Sequence, residues 1–355
     1  MKTMTKTINV GNIKIGGGNR ISVQSMTNTD TANYEKTLEQ ICELEKAGCD
    51  IVRLAVGNDA DIESCKKLIS AVSVPLVADI QFDYRIAIKC AEIGFSKIRI
   101  NPGNIGSPER VKAVVDACKT AGIPIRVGVN SGSLDKDIYY KYGNTPKALV
   151  ESAMKHVQLL ENFNFYDIVV SVKASSVPLC VQAYRLLSQS TDYPLHIGIT
   201  ESGGGESALL KSAIGIGSLL LDGIGDTVRV SLSDSPVEEV YAAKKILRAA
   251  GIDKNYCEIV SCPTCSRCKY DLIGIVREMQ DYVKDIRIPM KIAVMACVVN
   301  GPGEAKDCDF GVAGGCERAV LFEKGEIIKT IPTNNVIPEL KRLIDVKSEE
   351  YKNKK

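Results

Sequence analysis

The sequence predicts a (β/α)8 TIM barrel followed by a small α+β domain. Eight short apolar runs rich in β-branched residues recur at a mean spacing of about 29 residues, the size of one strand–helix unit. Such runs are typical of parallel strands buried on both faces, and eight units in series favour a closed barrel over an open sheet. The predicted strands are Ile21–Met26, Asp50–Val56, Pro75–Ile80, Lys97–Asn101, Pro124–Asn130, Asp167–Lys173, Pro194–Thr200 and Thr227–Ser233.

Start and stop signals for helices lie between these runs. Capping hydroxyls stand directly before prolines, which favour the first helical position, at Ser107, Thr145 and Ser235. Glycines follow the helical patterns where a left-handed residue ends a helix, at Gly48, Gly94, Gly122 and Gly251. We interpret Ser131–Asn144 as an insertion over the barrel mouth and Ile8–Gly18 as a hairpin that plugs the barrel's bottom.

The pattern changes after Gly251, so we expect a barrel domain over residues 1–250 and a small α+β domain over residues 251–355. A hairpin is predicted around Lys324–Gly325, and the tail Lys347–Lys355 is expected to fray. The predicted elements of this part are strands Tyr256–Ser261 and Lys291–Cys297, helix Asp271–Ile286, hairpin strands Ala319–Glu323 and Glu326–Ile331, and helix Val336–Lys347.

Composition excludes several function classes. The 355 residues are 45% hydrophobic and 25% charged, which is ordinary globular usage and excludes a disordered chain, a collagen or a coiled coil. The net charge of +2 argues against general binding to nucleic acid or to an anionic membrane surface. No apolar run approaches the ~20 residues that span a bilayer, and Met1–Gly18 lacks a signal-peptide core. We therefore expect a cytoplasmic protein.

Ionisable residues occupy the ends of the predicted barrel strands, inside otherwise apolar runs. Five are basic and two are acidic: Arg53, Asp79, Arg99, Arg126, Lys173, Glu201 and Arg229. The carboxyl ends of barrel strands meet at one mouth, where active sites are built. Since burying unpaired charge is costly, this excess predicts a pocket for a compact anion such as a phosphate ester. The alternative is an internal ring of salt bridges.

Two asparagines follow the arginines on neighbouring strands. Asn101 and Asn130 stand two and four residues after Arg99 and Arg126, so we expect both side chains at the mouth as substrate contacts. Asparagine is also a common turn former, which is the alternative interpretation of each.

Thirteen cysteines without an export signal indicate metal or redox chemistry rather than disulfides. Cys262 and Cys265 form a Cys-x-x-Cys pair, Cys297 follows a predicted strand, and Glu304 ends a Gly-Pro-Gly loop. Three thiolates with a labile fourth position fit an iron–sulfur cluster, with Cys268 as a rival fourth ligand. A zinc site and a redox dithiol are the alternatives. The remaining early cysteines are expected in the core: Cys42, Cys49, Cys65, Cys90, Cys118 and Cys180.

Three segments carry a family resemblance. Ser22–Thr29 (SVQSMTNT), Ser261–Cys265 (SCPTC) and Cys297–Glu304 (CVVNGPGE) together resemble the bacterial 4-hydroxy-3-methylbut-2-enyl diphosphate synthases of the methylerythritol phosphate route to isoprenoids. The likeness extends over essentially the whole chain, including the domain order. Two departures from the family pattern are Cys268 and the alanine at position 296, where glycine is expected.

The resemblance implies a [4Fe–4S] cluster held by Cys262, Cys265, Cys297 and Glu304. It implies the substrate 2-C-methyl-D-erythritol 2,4-cyclodiphosphate, reductively opened with loss of water. The residues that match the family's pocket are Arg53, Arg99, Arg126, Lys173, Asn130, Glu201 and Arg229. A flavodoxin or ferredoxin donor and a homodimer are implied too.

Two catalytic residues are expected. A carboxylate is a hard, displaceable ligand, so Glu304 would leave an open position for substrate. Glu201 would donate or position a proton. The rival classes are a pterin- or corrinoid-linked methyltransferase, which would bind those cofactors without iron, and a zinc module that docks a partner.

Overall fold

The computed structural model describes residues 4–298 and 301–353, and the side chains of Ser133, Pro302 and Glu304 lie outside the described part. The chain divides into two compact units, Met1–Ile252 and Asp253–Lys355. Each unit has its own hydrophobic core. No helix within the described ranges is long and apolar enough to cross a membrane.

The first unit begins with an antiparallel hairpin, β1 (Ile8–Val10) and β2 (Ile13–Ile15). Eight parallel strands follow, and all eight overlap the strands predicted from the sequence. They are β3 (Ser22–Met26), β4 (Ile51–Ala55), β5 (Leu76–Asp79), β6 (Lys97–Ile100), β7 (Ile125–Asn130), β8 (Ile168–Lys173), β9 (His196–Ile197) and β10 (Thr227–Val228). Val170 of β8 bridges to Leu195, just before β9, and this contact brings the two edge strands together. The predicted barrel is confirmed.

Ten helices of the first unit connect and cover these strands. They are α1 (Tyr34–Lys46), α2 (Asp59–Ala71), α3 (Tyr84–Glu92), α4 (Pro102–Ile105), α5 (Pro108–Ala121), α6 (Lys136–Tyr142), α7 (Pro146–Asn162), α8 (Val177–Ser190), α9 (Gly205–Leu221) and α10 (Pro236–Ala249). The predicted caps work through their hydroxyls at two sites: Thr145 accepts the Ala148 N–H and Ser235 accepts the Val237 N–H, each at 3.3 Å. Ser107 precedes α5 without a side-chain capping bond.

The hairpin β1–β2 seals the barrel's bottom, as predicted. Its inward residues Ile8, Val10 and Ile15 form one buried cluster with residues from the start or middle of three barrel strands: Ile51, Val77 and Val169. Ile15 is completely buried, while Lys14 beside it is exposed. The apolar floor excludes water from one end of the barrel, so polar ligands enter only at the other end.

The second unit is built on one five-stranded mixed sheet. Its strands are β11 (Cys257–Ser261), β12 (Met290–Met295), β13 (Phe310–Ala313), β14 (Arg318–Glu323) and β15 (Glu326–Pro332), and its helices are α11 (Leu272–Val283), α12 (Gly301–Glu304) and α13 (Val336–Asn353). Strands β11, β12 and β13 run parallel, and β14 and β15 are added antiparallel. The sequence interpretation missed β13, since its four residues lie between cysteine- and glycine-rich segments without an alternating pattern.

The expectation of a frayed tail was wrong. Helix α13 continues to Asn353 because one face buries Val336, Leu340 and Ile344. Lys347 then pairs with Glu323 at 3.1 Å, which ties the last turns to the sheet.

Replacing Ile15 by alanine should destabilise the barrel by about 2–4 kcal/mol, because it leaves a cavity against the floor residues. Denaturant unfolding of the barrel transition measures this loss. Lys14→Ala on the same strand is the matched control and should change stability by less than about 0.5 kcal/mol. Equal effects of the two substitutions would mean that the hairpin is not a packed floor.

Candidate active site

The predicted charges converge inside the barrel. Arg53, Asp79, Arg99 and Arg126 come from the consecutive strands β4 to β7, with Arg99 directly opposite Arg126 in the register. They surround a cavity of about 130 Å³. Its lining is Arg53, Asp79, Arg99, Arg126, Asn130, Ser171, Lys173, Thr200, Arg229 and Ser231.

Two glycines make room for this cavity. A Cβ atom on Gly128 would lie 2.9 Å from the Arg99 Nε atom, and one on Gly198 would lie 2.8 Å from the Lys173 Nζ atom. A side chain at Gly198 would also collide with the Arg229 carbonyl oxygen, so the close approach of the backbone requires glycine there, whereas a side chain at Gly128 would displace the Arg99 guanidinium.

Asp79 organises the arginines. Its carboxylate lies 2.9 Å from Arg99 and 3.8 Å from Arg53. Burial raises the pKa of the Asp79 carboxyl, but Arg53, Arg99 and Arg126 outweigh that effect and hold it below its usual range. Asp79 therefore stays ionised and orients two guanidinium groups.

Arg229 is held from outside the barrel wall. Its Nη2 atom donates to Glu239 of α10 at 3.1 Å, and the Ser25 hydroxyl donates to the same carboxylate at 2.9 Å. Glu239 is itself buried, so this pair fixes the direction of the Arg229 side chain.

Arg126 and Lys173 remain without a carboxylate. Neither forms an ion pair with any other described residue, although both are buried. The Arg126 Nε and Nη1 atoms have no hydrogen-bond partner within the part of the chain that the structure describes. Burial, and then the charges of Arg53 and Arg99, lower the pKa of Arg126 far below its ordinary value. Since a guanidinium keeps its proton in proteins, this buried positive charge calls for a bound anion to neutralise it.

The internal salt bridges expected as the alternative thus exist but are incomplete. They pair Arg53, Arg99 and Arg229 with a carboxylate and leave Arg126 and Lys173 without one. Because Asp79 is shared by two arginines, the five cations exceed the two carboxylates by three, and a multiply charged anion suits that excess.

The structure separates two predicted residues from the cavity. The Asn101 side-chain oxygen accepts a hydrogen bond from the Gly103 N–H at 3.2 Å. Asn101 thereby caps α4 and stabilises the turn that follows β6. Glu201 is exposed and has a positive φ of 53°, an uncommon conformation for a residue with a side chain. Neither lines the cavity, whereas Asn130 does.

Three lining residues were missed: Ser171, Thr200 and Ser231. Side chains alternate along a strand, so residues two positions from a known inward residue face the same way. That spacing relates Ser171 to Lys173 and Ser231 to Arg229, and it was the signal available in the sequence.

In the second unit, the predicted metal ligands lie at the carboxyl ends of two neighbouring strands. Cys262 follows β11 and Cys297 follows β12, and these strands pair in parallel with Ser261 opposite Val294. The Cys262 Sγ atom accepts the Ala296 N–H at 3.2 Å, which joins the two strand ends. Cys265 is exposed on the loop that follows.

Tyr270 lies among these thiols. Burial raises the pKa of its hydroxyl, and Cys268, Cys262 and Cys297 raise it further. Its hydroxyl donates to the Met295 carbonyl oxygen at 2.6 Å. The tyrosine thereby fastens the Cys-x-x-Cys loop to the end of β12.

The Gly-Pro-Gly segment returns to the same strand end. A Cβ on Gly301 would lie 2.8 Å from that of Ala313 and 3.0 Å from that of Met295, so α12 packs closely on β12 and β13. The Gly301 N–H donates to the Cys297 carbonyl at 3.2 Å. The Glu304 side chain, predicted as the fourth ligand, lies outside the described residues.

The donor chemistry fits an iron–sulfur cluster in part. The thiols of Cys262, Cys265 and Cys297 belong to loops at adjoining strand ends, and thiolates are the ligands of such clusters. Among the described side chains, no three histidine, cysteine or acidic residues lie close enough to hold a single metal ion. The Cys268 Sγ atom donates to the Tyr270 carbonyl oxygen at 3.2 Å, so this thiol is already engaged by the backbone of its own loop.

The other cysteines of the first unit belong to the core, as predicted. All are buried except Cys42, which is half-buried. Burial raises the pKa of Cys49, Cys65 and Cys118 to about 12 each, so these thiols are inert.

A larger cavity of about 420 Å³ lies beside α4 and α7. Its one lysine, Lys155, is already paired with Asp135 at 2.9 Å. This larger cavity therefore lacks the unpaired positive charge that lines the barrel pocket.

Solved structures resemble the fold at low identity. A truncated 3-deoxy-D-arabino-heptulosonate 7-phosphate synthase from Thermotoga maritima has a TM-score of 0.50 and 15% identity, over 70% of this chain and 94% of that one. The dihydropteroate synthase of Yersinia pestis has a TM-score of 0.49 and 12% identity, over 69% of this chain and 98% of that one. The likeness to the Thermotoga maritima structure shows the barrel fold and nothing about function.

Sequence relatives are much closer. Proteins named 4-hydroxy-3-methylbut-2-en-1-yl diphosphate synthase (flavodoxin) from Caldanaerobacter subterraneus and Fusobacterium nucleatum are 56% and 52% identical. The matches cover 97% of this chain and 98% of the first relative, and 100% of both chains for the second. Family models for the GcpE TIM-barrel domain and the GcpE protein C-terminal domain match residues 5–244 and 258–346. This chain belongs to the GcpE family of 4-hydroxy-3-methylbut-2-en-1-yl diphosphate synthases.

Proposed function

We propose that this chain reductively opens 2-C-methyl-D-erythritol 2,4-cyclodiphosphate to 4-hydroxy-3-methylbut-2-enyl diphosphate. Two electrons and two protons enter, the C2–O bond to the phosphate breaks, and the neighbouring hydroxyl leaves as water. The observation that carries the proposal is the barrel pocket with two unpaired cations, Arg126 and Lys173, in a chain of this family.

The pocket's charges suit this substrate. A cyclic diphosphate carries one ionised oxygen on each phosphorus, which matches the two cations that lack carboxylates. Arg53 and Arg99, already oriented by Asp79, present further donors in a fixed geometry. As the C2–O bond breaks, negative charge grows on the phosphate oxygen, and preorganised guanidinium groups stabilise it without rearrangement.

The electrons require a second group. In this proposal Cys262, Cys265, Cys297 and Glu304 hold a [4Fe–4S] cluster, and that cluster supplies the two electrons one at a time. Tyr270 and the backbone of α12 hold the ligand-bearing loops in place. A carboxylate as fourth ligand would be the most easily displaced of the four.

The protons require an acid. Asp79 is unsuited, because the surrounding arginines keep it ionised. Glu201 is our candidate, and its left-handed backbone is the kind of local strain that accumulates at functional sites. Asn130 and Arg229 would position the substrate's hydroxyl groups and phosphate oxygens from the cavity wall.

The partners follow from the reaction. A one-electron protein donor is needed, and we infer flavodoxin, named for the relatives, or ferredoxin. We further propose a cytoplasmic homodimer, as the family resemblance implies. Under anaerobic conditions, the protein should convert the cyclodiphosphate with a chemical reductant and contain iron and acid-labile sulfide. A colourless protein with neither element and no product would refute the assignment.

Replacing Arg126 by alanine should lower kcat/KM about 10²- to 10³-fold, since truncating one partner of a buried charge contact costs roughly 2–5 kcal/mol. Steady-state kinetics under anaerobic conditions measure the loss, and the visible absorption should stay unchanged. Arg110→Ala, an exposed arginine on α5, is the control and should keep wild-type kinetics. Unaltered kinetics of the Arg126 variant would refute the cationic pocket.

Cys265→Ser and Cys268→Ser should differ sharply although the two residues share one loop. The first removes a proposed ligand and should lose most iron, sulfide and visible absorption. The second removes a thiol that is turned toward the Tyr270 carbonyl and should retain them. Iron loss in the Cys268 variant with retention in the Cys265 variant would reverse the ligand assignment.

Glu304→Ala should keep part of the cluster's absorption and lose most turnover, because three thiolates still hold the iron while the displaceable ligand is gone. Absorption spectra and single-turnover assays on the same samples separate the two effects. Full activity of this variant would exclude Glu304 as a ligand.

A further inference from the structure

A fully buried lysine lies beneath the anion pocket. Lys97 is the first residue of β6, and its side chain has 0% exposure. It pairs in register with Val77, one of the apolar floor residues, while Arg99, two residues further along, faces the pocket. Lys97 therefore lies one layer deeper than the residues that line the cavity.

The Lys97 amine has no partner. Within the described ranges its Nζ atom forms neither a hydrogen bond nor an ion pair. Gln24 and His196, on other barrel strands, also bury side-chain atoms that lack a partner. A buried ammonium without compensation is among the most costly arrangements in a protein.

The charged surroundings make the cost larger. On the strands that enclose Lys97, the cations are Arg53, Arg99, Arg126, Lys173, His196 when protonated, and Arg229, and the one acid is Asp79. Asp79 is already committed to Arg53 and Arg99. The floor residues from the hairpin and from β4, β5 and β8 are apolar.

These surroundings favour the uncharged amine in the ligand-free protein. Burial, and then Arg126 and Arg53, hold the pKa of Lys97 well below its ordinary value. Anionic oxygens beside Arg126 and Arg53 would cancel the repulsion from those two groups. The pKa of Lys97 would then rise toward its ordinary value without any movement of the chain.

We propose that Lys97 takes up a proton at Nζ when the barrel binds its diphosphate substrate, so that substrate binding and proton uptake are coupled. The inference rests on the proposed function and deepens it. Lys97 does not line the cavity, so it acts through Arg126 as a charge-compensating residue and not as a catalytic one. The uptake adds one positive charge under the diphosphate before reduction begins.

Calorimetric titration of the anaerobic holoenzyme with the cyclodiphosphate, without reductant, tests the coupling. Titrations in buffers of different ionisation enthalpy give the number of protons taken up per bound substrate. The substrate's own acidic groups are ionised at neutral pH and contribute nothing. Wild type should take up protons on binding at pH values below the ordinary lysine value of about 10.4. Lys97→Met, and Lys97→Gln as a second variant, should lower the uptake by up to about one proton per site and weaken binding. Any uptake that remains belongs to Lys173, whose pKa is also lowered by burial and then by Arg126 and Arg229.

Lys112→Met, an exposed lysine paired with Asp116 on α5, is the control and should retain the uptake. Substrate binding without uptake in wild type, or undiminished uptake in both Lys97 variants, would overturn the role of Lys97 and leave the proposed function standing. Failure of the cyclodiphosphate to bind at all would overturn the proposed function and this inference together.

Stability provides a second readout that needs no ligand. Because the pKa of Lys97 is lower in the folded state, the unfolded chain binds more protons, and the unfolding free energy rises with pH until the ordinary lysine value of about 10.4. The stability advantage of Lys97→Met over wild type should therefore shrink as pH rises through this window. An advantage that is constant with pH would contradict a lowered pKa.

Discussion

The interior of the barrel contains more buried positive charge than its own carboxylates can neutralise. Asp79 is the one acid among the residues lining the cavity, and it is shared between Arg53 and Arg99. Arg126 and Lys173 have no such partner among the described residues. A buried unpaired group is costly unless it loses its charge or a ligand supplies the opposite sign, and an arginine keeps its proton, so this imbalance indicates an anion site.

Several features of the fold maintain this imbalance. The hairpin closes one end of the barrel with isoleucine and valine, which keeps water from reaching the cations from below. Gly128 and Gly198 leave space for Arg99 and Lys173 to lie inside the wall. Glu239 neutralises Arg229 from the helix layer, so that arginine can face the cavity in a fixed direction. The cost in stability is concentrated at the site where the substrate's charge offsets it.

The second unit also places its candidate ligands at the carboxyl ends of parallel strands, but these ligands are thiols. Parallel strands β11 and β12 deliver Cys262 and Cys297 to neighbouring positions, and the loop between Cys262 and Tyr270 returns to the end of β12. Thiols in this arrangement suit iron and sulfide, whereas the barrel's guanidinium groups suit phosphate. The two units thus divide the proposed reaction into electron supply and anion binding.

The barrel and most of its pocket were predictable from the sequence. The chain repeats one strand–helix unit, and the β-branched residues of each strand indicate that the strand is buried. Arg53, Arg99, Arg126 and Lys173 were detectable as charges within apolar runs. Asn101 caps α4 and does not line the cavity, because a polar residue after a strand serves equally well as a helix cap, and its contact with substrate stays a prediction. Lys97 was overlooked because it opens its strand, where a lysine is usually solvated, and only the strand register reveals its depth.

Thermal unfolding shows whether the barrel's uncompensated charge binds the cyclodiphosphate. A ligand at about 100 times its Kd stabilises the folded state by roughly 2.7 kcal/mol. The barrel transition should therefore shift to higher temperature with the cyclodiphosphate and should not shift with the uncharged parent polyol, 2-C-methyl-D-erythritol. An unchanged transition, or an equal shift with the polyol, would contradict the account.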